Sequence, residues 1–577
     1  MSTVAPARTP GLPGTEVAAL EELFGLAAHP ANPVGSAAVV DADERGELLA
    51  PGVELLDVFG LNAHFVPAAL GGRFTGLETL VDVLRTVYRR DPCLGLGYGA
   101  GSFMAGANVW TAGSTAQQTW LAARLLDGGP AACAYHELEH GGDLSRAGLT
   151  ALPGADGRLR LNGRKEVVAN LRRARTTVLF ARTDAAPGSR SHSQLLLDTE
   201  AWDPRRVRHL ERFTTAGMRG VPLGGAEFTD CAVPHDSVVG YPGHGVETAL
   251  RSFQLTRIAL PGMTVGLLDT ALRTALRGAR GRRLYGAAAT DLPLSRSILA
   301  EAFADLLLAD MFVTVAARSA HTATARAGVY AAAVKALVPK VLMGAVYRLS
   351  ELLGSQFYLR GGPQALFQKL LRDVQPTAFG HASRVSCLSA LLPQLPLTAR
   401  RGWADGEAAE LDARTFTPGE PLPPLAFADL AVTAGGRDPL ARSLLSGAAR
   451  ASADDELRDA SRTWCAELGA LAEATASLGR APLGPSAGPG AFALAARWTG
   501  VLAASACLNL WWHRPSDGGE AVPGPLAVRA CLHRLGAHMD HHRDPLPAAL
   551  AEPLYAELVR RLDAGLTFDL GCRPTGA

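Results

Sequence analysis

Apolar residues in the first part of the chain recur at helical spacing. Between residues 15 and 129, segments of this pattern are broken by glycine and proline. A clear stripe comprises Leu77, Leu80, Val81, Leu84 and Val87. The pattern predicts an N-terminal helical domain over residues 1–130.

The pattern changes to short alternating runs near residue 131. Residues 149–152 precede a Pro-Gly-Ala-Asp-Gly turn at 153–157, and residues 158–161 then alternate polar with apolar. Alternation on both sides of a turn predicts a β-hairpin. Further β-type runs follow at 176–181, 194–197 and 226–229. We therefore predict a middle domain, residues 131–240, built as a small antiparallel barrel or sandwich.

Helical spacing returns at Val246 and continues through long Ala- and Leu-rich segments. One predicted stripe contains Val265, Leu268, Leu272, Ala275, Leu276 and Ala279, with Arg273, Arg277 and Arg280 lying off it. This predicts a C-terminal helical bundle over residues 241–414. The Pro-rich stretch 415–424 has the composition of a linker, and residues 415–577 are predicted to be a linker with an additional helical extension. The fold class is α+β.

Charge and cysteine usage narrow the functional classes. The 577 residues include 56 basic and 55 acidic side chains, a formal net charge of +1, which gives no field to attract nucleic acid. Eight cysteines without a CxxC pair are typical of a reducing compartment and predict a cytoplasmic location. The longest apolar runs fall short of the roughly 18 to 20 residues that span a bilayer, so no membrane span is predicted.

Two histidine-rich segments could in principle bind a metal. Residues 136–140 spell HExxH, but Gly141 and Gly142 would end a helix there, and no third ligand follows at a usual spacing. The second segment lies at a predicted helix end, where polar residues collect. It contains His533, His538, Asp540, His541 and His542. We predict no metal site in either segment.

A series of landmarks between residues 131 and 375 occurs in the order seen in one enzyme family. The segment 136–144, HELEHGGDL, resembles a TEPxxGSDL loop, and 161–165, LNGRK, resembles an LNGxK turn after the hairpin. Further matches are MRG at 218–220, F-x-D at 228–230, VP at 233–234 and RD at 372–373, and the segment 282–286, RRLYG, resembles an R-x-x-F-G segment. In this order the landmarks resemble the acyl-CoA dehydrogenase family.

The resemblance implies FAD as cofactor, bound where two subunits meet, and hence a homodimer or homotetramer. It also implies that Arg282 contacts the pyrophosphate or adenosine part of the FAD held by the neighbouring subunit. The cofactor-binding residues carried over from the family's motifs are His136, Gly141, Gly142, Ala169, Arg282 and Gly354. Glycines suit this role because they permit close approach of the backbone to a phosphate or flavin edge.

Several family residues next to the flavin are replaced in this chain. His136 stands at the Thr of TEP, Gly142 at the Ser of GSD, and Val-Val-Ala at 167–169 replaces Trp-Ile-Thr. Only Gly354 remains of a glycine pair in the Q-x-x-GG segment. We therefore expect FAD to be held differently from the family pattern.

The family's catalytic glutamate is also absent. His381 stands at its usual position after RD, and Thr256 stands at the branched-chain position, one residue before the helix arginine, Arg257. The resemblance implies His381 and Arg257 as the catalytic residues. An imidazole that titrates near neutral pH could itself act as the base, or the loop has drifted and His381 is an ordinary polar residue.

Three functional interpretations follow from the resemblance and its departures. The first is an FAD-dependent oxidoreductase of specialised metabolism with non-standard chemistry, which acts on an acyl group on CoA, on a carrier protein or in a free β-keto acid. The second is an oxygen-using oxidase or monooxygenase, including a decarboxylating, epoxyketone-forming type. The third is a non-catalytic partner that retains the fold. The electron acceptor would be molecular oxygen or an electron-transfer protein.

Overall fold

The N-terminal part of the chain is helical, as its apolar spacing predicts. The computed structural model describes residues 14–403, 411–447, 455–476, 478, 483–514 and 524–576. The predicted stripe on the fourth helix is buried throughout. The helices are α1 (Thr15–Phe24), α2 (Ser36–Arg45), α3 (Ala50–Phe59), α4 (Leu77–Arg90), the single turn α5 (Pro92–Leu94), α6 (Gly101–Ala112) and α7 (Thr115–Leu126).

The middle domain is a curled sheet in the order β1-β4-β2-β3-β7-β6, with β5 paired to β4. The predicted hairpin is confirmed, since β2 and β3 pair antiparallel from Thr150↔Asn162 to Pro153↔Leu159. The prediction of a purely antiparallel sheet is wrong, because β1 runs parallel to β4. The strands are β1 (Ala131–Ala134), β2 (Thr150–Pro153), β3 (Leu159–Ala169), β4 (Thr176–Arg182), β5 (His192–Asp198), β6 (Val207–His209) and β7 (Leu223–Val233).

Strand β3 runs through the segment expected to be a turn. Residues 161–165 lie inside β3, where the register against β7 shifts between Leu161 and Gly163 and again between Lys165 and Val168. Gly163 adopts a φ of 115°, a conformation that residues other than glycine rarely adopt. The glycine of the LNGRK segment therefore lies at a β-bulge in the strand. Such bulges change the direction of the side chains that follow.

Three long helices form the centre of the C-terminal bundle. Helices α8, α9 and α10 pack on one another, and α8 also packs along α4 of the N-terminal helices. Together they share one continuous apolar core. The elements are α8 (Gly245–Gly281), the short pair β8 (Arg283–Leu284) and β9 (Ala287–Ala288), α9 (Pro293–Thr322), α10 (Ala327–Leu353), α11 (Ala365–Asp373), α12 (Pro376–Phe379), α13 (Arg384–Leu391) and α14 (Leu395–Thr398).

The C-terminal extension is helical and packs on this bundle. The predicted linker at 415–424 lies against α9, where the buried Arg318 donates to the carbonyls of Arg414 at 2.7 Å and Glu420 at 2.9 Å. Helix α17 packs on α9 and α10. The extension's helices are α15 (Pro439–Gly447), α16 (Asp455–Ala476), α17 (Pro489–Trp512), α18 (Pro525–His538) and α19 (Ala548–Asp563).

The end of the chain folds back onto α8 and buries a residue expected to be solvated. Arg273, predicted to lie off the buried stripe, is only 2% exposed. Its guanidinium lies 4.1 Å from the centre of the Phe568 ring and pairs with Asp269 at 2.5 Å. At Arg273, the side of α8 that lies off the buried stripe is thus covered by Phe568, nearly 300 positions further along the chain, whereas Arg277 and Arg280 are exposed.

Two segments are long and apolar enough, by length and composition alone, to cross a membrane. These are Thr324–Tyr358 and Pro489–Trp512, and 83% and 67% of their most apolar windows are buried inside the structure. Such burial is typical of core helices, which pass the same compositional test.

Candidate active site

The β-domain side of the candidate site is formed by the end of β1 and the end of β3. His136 forms an isolated antiparallel bridge with Val167. Val168 is buried in the core of the sheet, whereas Val167 and Ala169 are partly exposed on the opposite face, as strand alternation requires. The structure therefore places His136 and Ala169, two predicted cofactor residues, on neighbouring parts of one surface.

The loop after His136 leaves open space beside its glycines. Gly141 has a φ of 52°, and a Cβ built on it would meet nothing within 4 Å. A Cβ on Gly142 would meet only the Ser386 Oγ, at 4.0 Å, so the loop faces the beginning of α13. The region around the two predicted glycines can therefore accept a bound group.

The HExxH match in this loop has a structural explanation. Residues 138–142 form a turn, and Glu137 Oε1 accepts a 2.6 Å hydrogen bond from the fully buried Lys165. The amides of Gly148 and Leu149 donate to the same carboxylate. Although burial raises the pKa of Glu137, Lys165 and the amides lower it below its ordinary value. This glutamate is committed to holding the loop.

The helical side of the site is one stripe on α8. Phe253, Arg257, Leu260 and Thr264 follow at spacings that place them on one helix face. This face meets the segment from α12 to residue 381. The ring of Phe253 lies 6.3 Å from that of His381, and Thr264 Oγ1 lies 3.0 Å from the Thr377 hydroxyl.

The two predicted catalytic residues, Arg257 and His381, face each other across this contact. Arg257 is 8% exposed, and its Nε has no hydrogen-bond partner. His381 adopts a φ of 66°, which is strained for a residue other than glycine, and its Nδ1 is buried without a partner. Thr256, at the alternative base position, turns its hydroxyl back to the Phe253 carbonyl at 3.1 Å.

His381 and the neighbouring Lys335 have strongly shifted pKa values. Burial, with smaller contributions from Lys335, His136 and Arg257, lowers the pKa of His381 to about 3. Burial also lowers the pKa of Lys335, which lies on α10, to about 7. Lys335 is fully buried and donates to the Thr377 carbonyl. At neutral pH the imidazole of His381 is therefore uncharged.

Sequence reasoning missed the role of Lys335, Phe253 and the residues behind Phe253. Tyr135, whose ring lies 5.0 Å from that of Phe253, donates to Asn108 Oδ1 at 2.9 Å. Ser252 donates to the same oxygen at 2.7 Å. The sequence did contain a signal for Phe253. It lies on the same helical stripe as Arg257, at a spacing of four residues.

The remaining predicted cofactor residues, Arg282 and Gly354, form a second group. Arg282 Nη1 donates to the Leu353 carbonyl at 2.9 Å, and a Cβ on Gly354 would lie 3.3 Å from the same nitrogen. Gly354 ends α10 with a φ of 56°. Tyr285 and Tyr358 nearby in the sequence are 96% and 81% exposed. The predicted residues thus fall into two groups instead of one.

One cluster in the described residues has the spacing of metal ligands. Asp91, Cys93 and Asp373 offer ligand atoms within 4.8 Å of one another. The ammonium group of Lys369 lies among them, 2.7 Å from Asp91 and 2.6 Å from Asp373. The lysine thus stands where a metal cation would, and its charge offsets one of the two carboxylate charges. In the predicted non-metal segment near residue 540, His538 pairs with Asp305 at 2.9 Å.

Comparisons with known proteins agree with this architecture. The family profile "Acyl-CoA dehydrogenase, C-terminal domain" matches residues 243–381. The mitochondrial isovaleryl-CoA dehydrogenase of Oryza sativa subsp. japonica is 27% identical over 266 residues. The match covers 46% of this chain and 64% of the relative, so the chain spans just under two thirds of that protein's length.

Solved structures extend the likeness to the whole chain. An acyl-CoA dehydrogenase from Bacillus anthracis, complexed with FAD, covers 97% of this chain and 96% of its own at a TM-score of 0.71 and 15% identity. The prolyl acyl carrier protein oxidase AnaB covers 64% of this chain and 94% of its own at a TM-score of 0.57 and 19% identity.

Two helical units around a curled β domain, with a helical extension, define an α+β fold of the acyl-CoA dehydrogenase type. The resemblance to the acyl-CoA dehydrogenase family predicted from the sequence landmarks is confirmed.

Proposed function

We propose that this protein is an FAD-dependent oxidoreductase that acts on an acyl substrate by non-standard chemistry. The observation that carries the proposal is an uncharged His381 at the place where the family resemblance implies a glutamate, with its pKa lowered mainly by burial and in small part by the charge of Arg257. The acyl group would be attached to CoA or a carrier protein, or belong to a free β-keto acid. Specialised metabolism fits a site that has lost the usual base.

The described residues fit the flavin part of FAD. Val167 and Ala169 present a partly exposed, apolar face next to His136, which suits a flat ring. The open space at Gly141 and Gly142 allows the backbone to approach the cofactor closely. When bound, FAD supplies an acceptor for a hydride.

The second group of residues fits the pyrophosphate part of a cofactor held by another subunit. Arg282 makes only carbonyl contacts, to Leu352 and Leu353, so its positive charge is not neutralised by a carboxylate of the described residues. The exposed Tyr285 and Tyr358 supply apolar surface beside it. We propose that this end of the bundle meets a second copy of the chain in a homodimer or homotetramer.

The protein's own residues would bind and orient the acyl substrate. Arg257 can donate hydrogen bonds from α8, and Phe253 provides an apolar wall held by the Tyr135–Asn108–Ser252 contacts. His381 Nδ1 is free to accept or donate a hydrogen bond. With its pKa lowered to about 3, His381 is a weak base in the ligand-free protein, and it gains basicity only when an anion approaches.

The replacement of the family's glutamate by His381 also favours molecular oxygen as the electron acceptor. A carboxylate and a bound thioester exclude water and oxygen from the family's flavin, whereas the group at 381 is a neutral imidazole here. The oxidase name of the structural neighbour AnaB supports the same alternative. An electron-transfer protein is the other acceptor.

The test is the visible spectrum of the purified, FAD-reconstituted protein, followed by anaerobic reduction and exposure to air. We expect stoichiometric FAD that re-oxidises within seconds with hydrogen peroxide formation. Arg282→Ala should lower FAD occupancy, while Arg283→Ala, which removes a more exposed neighbour, should not. A colourless protein that cannot be reconstituted would leave only the fold-retaining, non-catalytic interpretation.

A variant that restores the family's carboxylate sharpens this test. His381→Glu is expected to slow re-oxidation in air and to allow reduction of the flavin by a simple acyl-CoA such as butyryl-CoA. The matched control His235→Glu adds the same charge at an exposed position of the β domain and should behave as the wild type. Rapid, oxygen-insensitive turnover of butyryl-CoA by the wild type would contradict the proposal.

A further inference from the structure

Three cationic or protonatable side chains from different elements meet at the candidate active site. Arg257 comes from α8, Lys335 from α10 and His381 from the segment that follows α12. The charges of Lys335 and Arg257 both contribute to lowering the pKa of His381, and Arg257 contributes to lowering that of Lys335, so the three groups lie within one another's field. We call these three residues the cation cluster.

The cation cluster has few acceptors for its donors. Arg257 Nε and His381 Nδ1 are buried without a hydrogen-bond partner, and Lys335 donates to the carbonyl of Thr377. Among the described residues, no carboxylate forms an ion pair with Arg257 or Lys335. Buried polar groups in folded proteins almost always have partners, so the unpaired N–H of Arg257 Nε beside the Lys335 ammonium group indicates a missing acceptor.

Both helices that supply the cations are interrupted at the cluster. Pro261 follows Arg257 by four residues in α8, and Pro339 follows Lys335 by four residues in α10. A proline has no amide hydrogen, so the helical hydrogen bond to the carbonyl of Arg257, and that to the carbonyl of Lys335, cannot form. The carbonyls of Arg257 and Lys335 therefore each lack the helical hydrogen bond that a residue other than proline would donate.

We propose that the cation cluster binds a carboxylate group of the substrate, so that the substrate is an acyl compound carrying a free carboxylate. The inference deepens the proposed function and rests on it for the oxidation step. Arg257 supplies a permanent positive charge and directed N–H donors. Lys335 supplies an ammonium group whose charged form the anion stabilises, and His381 supplies an imidazole N–H donor. A neutral acyl thioester would leave this charge uncompensated.

Binding of a carboxylate should depend on pH through Lys335 and His381. The charged and titratable groups that face them are Arg257 on α8, Cys387 on α13 and His136 at the end of β1. A bound anion stabilises the protonated forms and therefore raises both pKa values, so binding takes up protons. Because free Lys335 has a pKa of about 7, affinity should fall by up to about tenfold per pH unit above that value.

Isothermal titration calorimetry of the full chain with acetoacetate and with its neutral methyl ester tests the inference. We expect the acid to bind and the ester to bind at least about tenfold more weakly, as expected when a charged hydrogen bond is lost. Runs in two buffers of different ionisation enthalpy should reveal proton uptake. Arg257→Gln and Lys335→Met should weaken acetoacetate binding at least about tenfold.

Matched controls lie on the same two helices. Arg277→Gln on α8 and Lys340→Met on α10 remove exposed cations and should leave the affinity unchanged. Equal binding of acid and ester, or binding without proton uptake, would overturn the inference even if the variants at 257 and 335 failed to fold.

Titrations with and without FAD separate this inference from the proposed function. A colourless protein that binds acetoacetate would support the carboxylate site and contradict the flavin chemistry. A protein that holds FAD but does not distinguish acid from ester would contradict the carboxylate site alone.

Discussion

The chain has only four lysines among its 56 basic residues, and two of them show what burial of an amine can mean. Lys369 and Lys335 are 1% and 0% exposed. Lys369 lies between Asp91 and Asp373, and although burial lowers its pKa, these carboxylates raise it well above the ordinary value. Lys335 has a backbone carbonyl as its acceptor, and its pKa is lowered to about 7.

The two lysines differ in their acceptors and therefore in their roles. Lys369 stabilises the fold through its carboxylate partners, whereas the Lys335 amine is available to a ligand. Asp373, bound by Lys369, also accepts a 2.5 Å hydrogen bond from the amide of Met218. The RD and MRG landmarks of the sequence are therefore joined through a buried cluster in which a lysine pairs with two carboxylates. Among the described residues, no carboxylate pairs with Lys335, and the neighbouring Arg257 Nε and His381 Nδ1 have no hydrogen-bond partner. On our proposal, a carboxylate group of the substrate supplies the negative charge that this site lacks.

The largest effect is expected for Lys369→Met. The substitution leaves Asp91 and Asp373 buried beside each other without a counter-ion, and breaking a buried pair in this way typically destabilises a protein by about 3–5 kcal/mol. Denaturant unfolding followed by circular dichroism would measure the change. A loss below about 1 kcal/mol would mean that the carboxylates are protonated or otherwise compensated.

An effect of opposite sign is expected for Lys335→Met. The folded-state pKa of about 7 lies below the unfolded value of 10.5, so the unfolded chain binds more protons between these values and wild-type stability rises with pH there. At pH 6 the variant lacks the buried charge and should be more stable than the wild type, by roughly 1–3 kcal/mol. The difference should shrink as the pH rises from 7 towards 10.

Parallel denaturant titrations of wild type and Lys335→Met at pH 6 and pH 9 would check this result. Lys340→Met is the control, because Lys340 is exposed on the same helix. If Lys335→Met were as damaging as Lys369→Met, the two lysines would have the same structural role and the contrast between them would be lost.

The smallest effect is expected for His381→Gln and appears only in acid. His381 has a folded-state pKa of about 3 and an ordinary value of 6.5, so the unfolded chain takes up this proton first as the pH falls. The wild type should therefore lose stability relative to the variant between about pH 6.5 and pH 3. Thermal unfolding at pH 7 and pH 5 would measure it, and parallel curves would contradict the shifted pKa.

Local patterns predicted those parts of the fold that depend on neighbouring residues. The β2–β3 hairpin and the buried stripe of α8 both follow from periodicity and turn chemistry. The burial of Arg273 could not be predicted, because Phe568, which covers it, lies nearly 300 residues further along the chain. The parallel pairing of β1 with β4 likewise depends on how distant strands meet.

Only those residues of the candidate site that lie in recognisable motifs could be predicted from the sequence. The landmarks indicated His136, Arg257 and His381, and the structure brings these three together. Lys335 carries no motif of its own within an Ala-rich helix, and its proposed role depends on the absence of a carboxylate partner among the residues that the structure describes. Such an absence is a property of three-dimensional packing and cannot be read from residue spacing.

The central claim is that Lys335 belongs to an anion-binding site. A measurement of the pKa of Lys335 tests this claim most directly. With only four lysines, protein labelled with 13C at lysine Cε gives few signals, and Lys335→Met assigns the relevant one. A pH titration by NMR should show a pKa near 7 that rises when acetoacetate is added. A pKa near the ordinary 10.5, unchanged by acetoacetate, would contradict the account.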